Sequence, residues 1–289
     1  MIYTLKNDKL TAQIDDLGAQ IVSVKRGDCE YIWYGNAEFW AGRAPILFPI
    51  CGRLHEGKYT FEGKTYEMNI HGFARKTVFD VESANDTEIV FSLEADDTTR
   101  EQYPFDFKLT VAYKLDGSKI SSSVSITNLS DKTMPATFGA HPGFNVPLDN
   151  GSFEDWYIEF SDECTPNRLM ISDRGLFTGK KYAFELEDGK RIRLHHGLFN
   201  TDGIFMDRIP HSISLKSKLS ERYVTLNYPD MAYLGLWHAS KTEAPYVCIE
   251  PWCGLPALDG QTDDLCTKHD MFHIQKGKEK SINYEIIFG

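Results

Sequence analysis

The sequence predicts an all-β protein, a large antiparallel β-sandwich. Three observations carry that expectation: a two-residue apolar period, turn residues between the periodic runs, and the lack of helical stripes. Over residues 107–115, Phe107, Leu109, Val111, Tyr113 and Leu115 alternate with Lys108, Thr110, Ala112 and Lys114, which is the period of a half-buried strand. Glu62, Gly63 and Lys64, and again Asp116, Gly117 and Ser118, fall between such runs and read as hairpin connections. No window longer than about ten residues carries an i, i+3, i+4, i+7 apolar stripe. The 13% aromatic content also favours strands, so helices should be few and short.

Taken in order, alternation recurs at Leu10, Ala12 and Ile14, at Tyr59 and Phe61 against Tyr66 and Met68, and at Ile89, Phe91 and Leu93. It returns at Ile120, Ser122, Val124 and Ile126 and closes with Ile282, Tyr284 and Ile286. No low-complexity linker, internal repeat or charge block interrupts this patterning. The expected organisation is therefore one domain over residues 1–289, with polar outer faces and a buried apolar seam.

Bulk properties narrow the function classes. Hydrophobic residues make up 42% and charged residues 25% of 289, the balance of a globular chain with a substantial core. Lys and Arg number 31 against 42 Asp and Glu, a formal charge of −11, so the overall field repels nucleic acid and anionic membranes. Residues 1–14 lack the continuous apolar run of a secretory signal or membrane span, which makes the cytoplasm the expected location. The six cysteines are scattered and read as free thiols rather than a disulfide framework. Only Cys248 and Cys253 lie close together, with no second pair to complete a zinc site.

Four segments break the alternation and are dense in Gly, Pro, His and aromatic residues: 44–54 (APILFPICGRL), 70–76 (IHGFARK), 139–147 (GAHPGFNVP) and 247–256 (VCIEPWCGLP). Such breaks suit a binding surface carried on a rigid sheet. His141 and Glu250 each precede a proline, which biases their backbones toward extended conformations. A carboxylate and an imidazole held across a pocket form a minimal acid–base pair. Glu250 lies among Ile249, Pro251 and Trp252, where burial would raise its pKa. Its bland alternative is a structural pairing with an arginine.

Arg53 and Arg75 offer several fixed hydrogen bonds to sugar hydroxyls or a phosphate, or else form surface ion pairs. Phe73, Phe144 and Trp252 suit the apolar face of a pyranose, and equally suit ordinary core. His195 and His196 would point to opposite faces of a strand, so they read as structural.

Together, Gly52-Arg53, the His71-Gly72-Phe73-Ala74-Arg75 run, His141-Pro142-Gly143-Phe144 and Glu250-Pro251-Trp252 resemble the aldose 1-epimerase (galactose mutarotase-like) superfamily in composition, order and spacing. The HGFAR and CIEPWCG runs look most like its LacX-like branch. The resemblance extends over almost the whole chain and implies a supersandwich with its site in a cleft across one sheet. It also implies roles. Glu250 matches the general base that removes the proton from the anomeric hydroxyl, and His141 matches the acid that protonates the ring oxygen. His71 and Arg53 match residues that hold and polarise the sugar, while Arg75, Phe144 and Trp252 join them as candidate substrate contacts. A further sugar-contacting aspartate of the family corresponds to Asp202, with Asp207 as its competitor.

The implied reaction needs no cofactor and no metal, and its partner is a small sugar, an aldohexose or its phosphate. Homodimer formation is left open. Two other classes compete: a non-catalytic carbohydrate-binding module, and a metal-dependent β-protein using His71, His141 and Glu250 as ligands.

Overall fold

The strands predicted from the two-residue period are the strands of the fold in a computed structural model, which describes all 289 residues. Phe107–Asp116 pairs with Lys119–Asn128 along its full length, Phe107 opposite Asn128 and Asp116 opposite Lys119. Every apolar residue of the first strand's alternating set is buried. The other periodic runs become Thr11–Asp15, Glu88–Glu94 and Glu279–Phe288, and Lys58–Phe61 with Lys64–Glu67 form the expected hairpin. Helix is confined to Asp97–Gln102 and four short 3-10 segments. Asp96 caps the α-helix by accepting from the Thr99 N–H at 2.7 Å.

Two antiparallel sheets dominate. The nine-stranded one runs, edge to edge, from Arg191–Arg193 through Trp156–Phe160, Ser212–Ser217, Val224–Asn227, Glu279–Phe288, Lys119–Asn128, Phe107–Asp116 and Glu88–Glu94 to Asp80–Ala84. The eight-stranded one is centred on Tyr233–Trp237 and Tyr246–Trp252, and Gly143–Asn145 also pairs with the latter. Residues from the facing surfaces of both sheets share one apolar core: Val111, Val124, Leu226 and Ile286 from one, Leu234, Leu236, Val247 and Ile249 from the other. Each such side chain contributes about 1.5–3 kcal/mol relative to exposure.

The strand Tyr246–Trp252 explains how the fold presents chemistry. Val247 and Ile249 enter the shared core, so parity sends Cys248, Glu250 and Trp252 to the opposite face of the sheet. That face is covered too, and all seven residues of the strand are buried. A strand enclosed on both sides reads as a continuous apolar run, which is why 247–252 shows no alternation. The glutamate within that run marks a polar cleft under the covering segments.

Candidate functional site

A cavity of about 810 Å³ opens on that covered face and is lined by Arg53, His71, Arg75, His141, Asp202, Glu250 and Trp252. Seven of the eight site residues expected from sequence thus converge, although they come from segments up to two hundred positions apart. Phe144 is the exception. It is fully buried in the shared core, opposite Val247, because parity within Gly143–Asn145 turns it inward and leaves Gly143 on the cavity side.

Glu250 sits at the floor, 1% exposed. Its cross-strand neighbour is Gly235. A Cβ there would lie 2.9 Å from the Phe205 ring and 3.3 Å from the Cβ of Glu250, so the missing side chain gives the carboxyl group its space. The Oε2 atom lies 3.2 Å from Nε2 of His141, while Oε1 has no partner.

His141 is held by its neighbours on the chain: its N–H donates to the Pro45 carbonyl at 3.1 Å, and the Pro142 carbonyl accepts from Ile249 at 3.0 Å. Trp40 stacks on its ring at 5.0 Å and Trp237 meets it edge-on at 5.8 Å. The Nδ1 atom of this imidazole is buried without a partner.

His71 has a fixed tautomer. Its Nδ1 accepts the Gly52 N–H at 3.0 Å, which leaves the proton on Nε2, and its ring lies perpendicular to that of His141 at 5.6 Å between centroids. Its backbone is left-handed, φ +66, and so is that of Gly72, φ +70. Strain of this kind persists only where surrounding structure imposes it. Here the imposing contact is close packing on Phe48: a Cβ at position 72 would sit 2.1 Å from the Phe48 carbonyl oxygen. Gly72→Ala is therefore expected to destabilise the protein by at least about 3 kcal/mol. Denaturant unfolding measures it, and a change under about 1 kcal/mol would show that the contact yields easily.

The electrostatics follow from burial. Desolvation, and then the charge of Asp202, hold the Glu250 carboxyl well above its ordinary pKa. Burial presses His141 down to about 3 and pushes His71 well below the usual imidazole range. Burial thus favours the uncharged form of each partner, the protonated carboxyl of Glu250 and the neutral imidazole of His141.

Arg75 is half-buried with its Nε lacking a partner, and burial and the nearby Arg53 guanidinium lower its pKa. Asp202 lines the cavity, its Oδ1 accepting from the Gly203 N–H. Asp207 is committed elsewhere, to Lys181 at 2.6 Å and Asn167 at 2.8 Å. His195 and His196 do not lie on a strand: His196 begins a 3-10 helix, stacks on Phe153 at 4.1 Å and meets His238 at 3.2 Å. Both stand outside the larger cavity.

Sequence reasoning missed Trp40, Asp173, Asn200, Trp237 and Lys241, which also line the cavity. None stands in a Gly and Pro rich break with a titratable neighbour, and the only available signal was that Trp237 closes a strand leading into His238.

The metal-ligand set weighed from sequence differs from the arrangement found. His141, Cys248 and Glu250, not His71, bring ligand atoms within 4.8 Å of one another. The Nδ1 of His71 is occupied by Gly52. Burial and Glu250 keep the Cys248 thiol well above its ordinary pKa, so a cation would have to displace protons from both thiol and carboxyl groups.

Comparison with known proteins gives a consistent set. The family described as Aldose 1-epimerase matches residues 1–257. Protein LacX (chromosomal) of Lactococcus lactis subsp. lactis is 37% identical over 265 residues, 88% of each chain. A galactose mutarotase related enzyme from Lactobacillus acidophilus superimposes with a TM-score of 0.95 at 34% identity, covering 100% of this chain and 97% of that one. A galactose mutarotase-like protein from Lactobacillus casei ATCC 334 does so with a TM-score of 0.95 at 30% identity, covering 100% of both. No helix is long and apolar enough to cross a membrane.

Proposed function

Since the chain belongs to the aldose 1-epimerase family, we propose that it interconverts the α and β anomers of an aldohexose or aldohexose phosphate by acid–base opening and closing of the pyranose ring. The supporting observation is the buried Glu250–His141 contact at 3.2 Å. The reaction must take a proton from one oxygen and deliver one to another bonded to the same carbon, and adjacent proton-transfer groups match that demand.

Burial favours the protonated form of the Glu250 carboxyl. A sugar hydroxyl donating to the free Oε1 favours the carboxylate, and the proton moves to His141. Glu250 then accepts the proton of the anomeric hydroxyl. The bond from C1 to the ring oxygen breaks, its electron pair goes to that oxygen, and His141 protonates it. Rotation about the C1–C2 bond and the reverse transfers close the ring on the other face of the aldehyde. His71 Nε2–H, Arg53, Arg75 and Asp202 orient the hydroxyls, and Trp252 offers its ring to the C–H face of the sugar. A module that only binds sugars has no use for a costly buried proton pair.

The test is anomer exchange followed by polarimetry or NMR with glucose, galactose and their 6-phosphates, each with and without EDTA. At least one sugar is expected to equilibrate faster than buffer alone, undiminished by EDTA. Binding without acceleration would favour the module, and EDTA-sensitive activity restored by zinc would reassign His141, Cys248 and Glu250 as metal ligands.

A further inference from the structure

The reaction at Glu250 leaves a fully buried imidazole without a task. His238 is 0% exposed, and its Nδ1 lies 2.8 Å from the Ala239 carbonyl oxygen. A carbonyl only accepts, so the proton is on Nδ1. Burial presses the pKa of this ring down to about 4, which keeps it neutral near pH 7 and makes Nε2 an acceptor. The Nδ1 atom of His196 lies 3.2 Å from that Nε2 and is therefore the donor.

Aromatic rings interleave around the bond: His196 stacks on Phe153 at 4.1 Å, and Phe199 lies on His238 at 4.3 Å. Apolar side chains would fill this space with less desolvation cost. A satisfied buried hydrogen bond instead fixes a single register between the two segments that carry it.

Each histidine opens a segment that leads to the larger cavity. His196 begins the 3-10 helix His196–Phe199, and the Asp202 N–H donates to the Phe199 carbonyl at 3.3 Å, so the placement of Asp202 follows from the helix. His238 succeeds the strand Tyr233–Trp237. The Ala239 carbonyl that accepts from its ring also accepts from the Thr242 hydroxyl at 2.6 Å, which closes the turn carrying Lys241. Asp202 and Lys241 both have positive φ, +132 and +59, a strain that persists only where surrounding structure imposes it. Asn200 and Lys241 line the larger cavity and also an outer hollow of about 630 Å³, where they meet His196 and Glu243. The two segments thus form a wall with open space on both faces, and the histidine bond ties it together.

We propose that the His196–His238 hydrogen bond positions Asp202 and Lys241 against the hydroxyls of the bound sugar, which makes both histidines positioning residues for substrate binding that do not touch the substrate. The proposal rests on the reading of the larger cavity as a sugar site.

The experiment compares the wild type with His196→Leu, which keeps an apolar side chain on Phe153 but has no donor, and His196→Asn, whose amide donates from nearly the position of Nδ1. In the exchange assay, His196→Leu is expected to raise KM about tenfold while changing kcat less than twofold, the pattern of lost uniform binding. His196→Asn should return KM to within about twofold of the wild type. Hydrogen exchange of the sugar-free protein should be faster over residues 200–203 and 239–242 in the Leu variant and restored in the Asn variant. An unchanged KM or unchanged protection in His196→Leu, or Leu and Asn variants that behave alike, would overturn the clasp. If His196→Leu does not fold, ring-nitrogen NMR of the wild type decides: Nδ1 protonated on both histidines supports the bond, and Nε2 protonated on a neutral His238 removes it. If the wild type exchanges no sugar, the reading of Glu250 and His141 fails separately, and hydrogen exchange alone decides whether the pair ties the two segments.

Discussion

Replacing Glu250 by glutamine is expected to slow catalysed anomer exchange about a thousandfold, within the range that a positioned proton-transfer group supplies. The amide keeps the shape and removes the titratable carboxyl group that takes up the proton. The same substitution should stabilise the fold near neutral pH. The folded-state pKa of Glu250 lies above the ordinary value of 4.5. Its contribution to stability is therefore complete below that value and is lost as pH rises through the raised one. The glutamine variant, which never ionises, should melt above the wild type at pH 8, with the gap closing toward pH 4. Thermal unfolding at the two pH values checks this. Equal melting temperatures at pH 8 would mean that the carboxyl is not held in its costly environment, and unchanged exchange rates would remove it from the reaction.

The second large effect belongs to His141. His141→Asn is expected to cost about a hundredfold to a thousandfold in exchange rate, and the pH dependence of kcat/KM identifies why. The competent pair holds one proton. A second proton enters only when His141 titrates, from an ordinary 6.5 down to about 3, so the acid limb should lie far below the usual imidazole region. The alkaline limb reports loss of the shared proton, at a value above the ordinary carboxylate range. The profile is a bell whose acid limb is displaced well below the usual imidazole region. An acid limb at an unshifted 6.5 would show that His141 titrates as a solvated imidazole and does not share a proton with Glu250.

The sheet strands were legible because half-buried strands print their alternation on the chain, as Phe107–Asp116 does. The site was legible where a titratable residue stands inside an apolar break, as Glu250 does between Ile249 and Pro251. Phe144 shows the limit of that reasoning. Its neighbours place it in a functional segment, but a strand's parity decides which side faces the cleft, and the pairing partner Val247 is a hundred positions away. Trp40 and Trp237 were invisible for a related cause: each reaches His141 only through tertiary packing. His196 and His238 stand 42 positions apart, and only tertiary packing brings their rings together.

The strand that carries Glu250 has no side open to solvent. Ordinary strands tolerate drift on their outer residues, since half of their side chains touch only water. Here a replacement from Tyr246 to Trp252 presses on the packing between the sheets, on the floor of the cleft, or on the cluster of Trp33, Ala244, Tyr246 and Cys248 beside it. Evolutionary tuning of sugar preference must therefore come from the covering segments and the rim, while the backbone beneath the carboxylate stays fixed as an anchor.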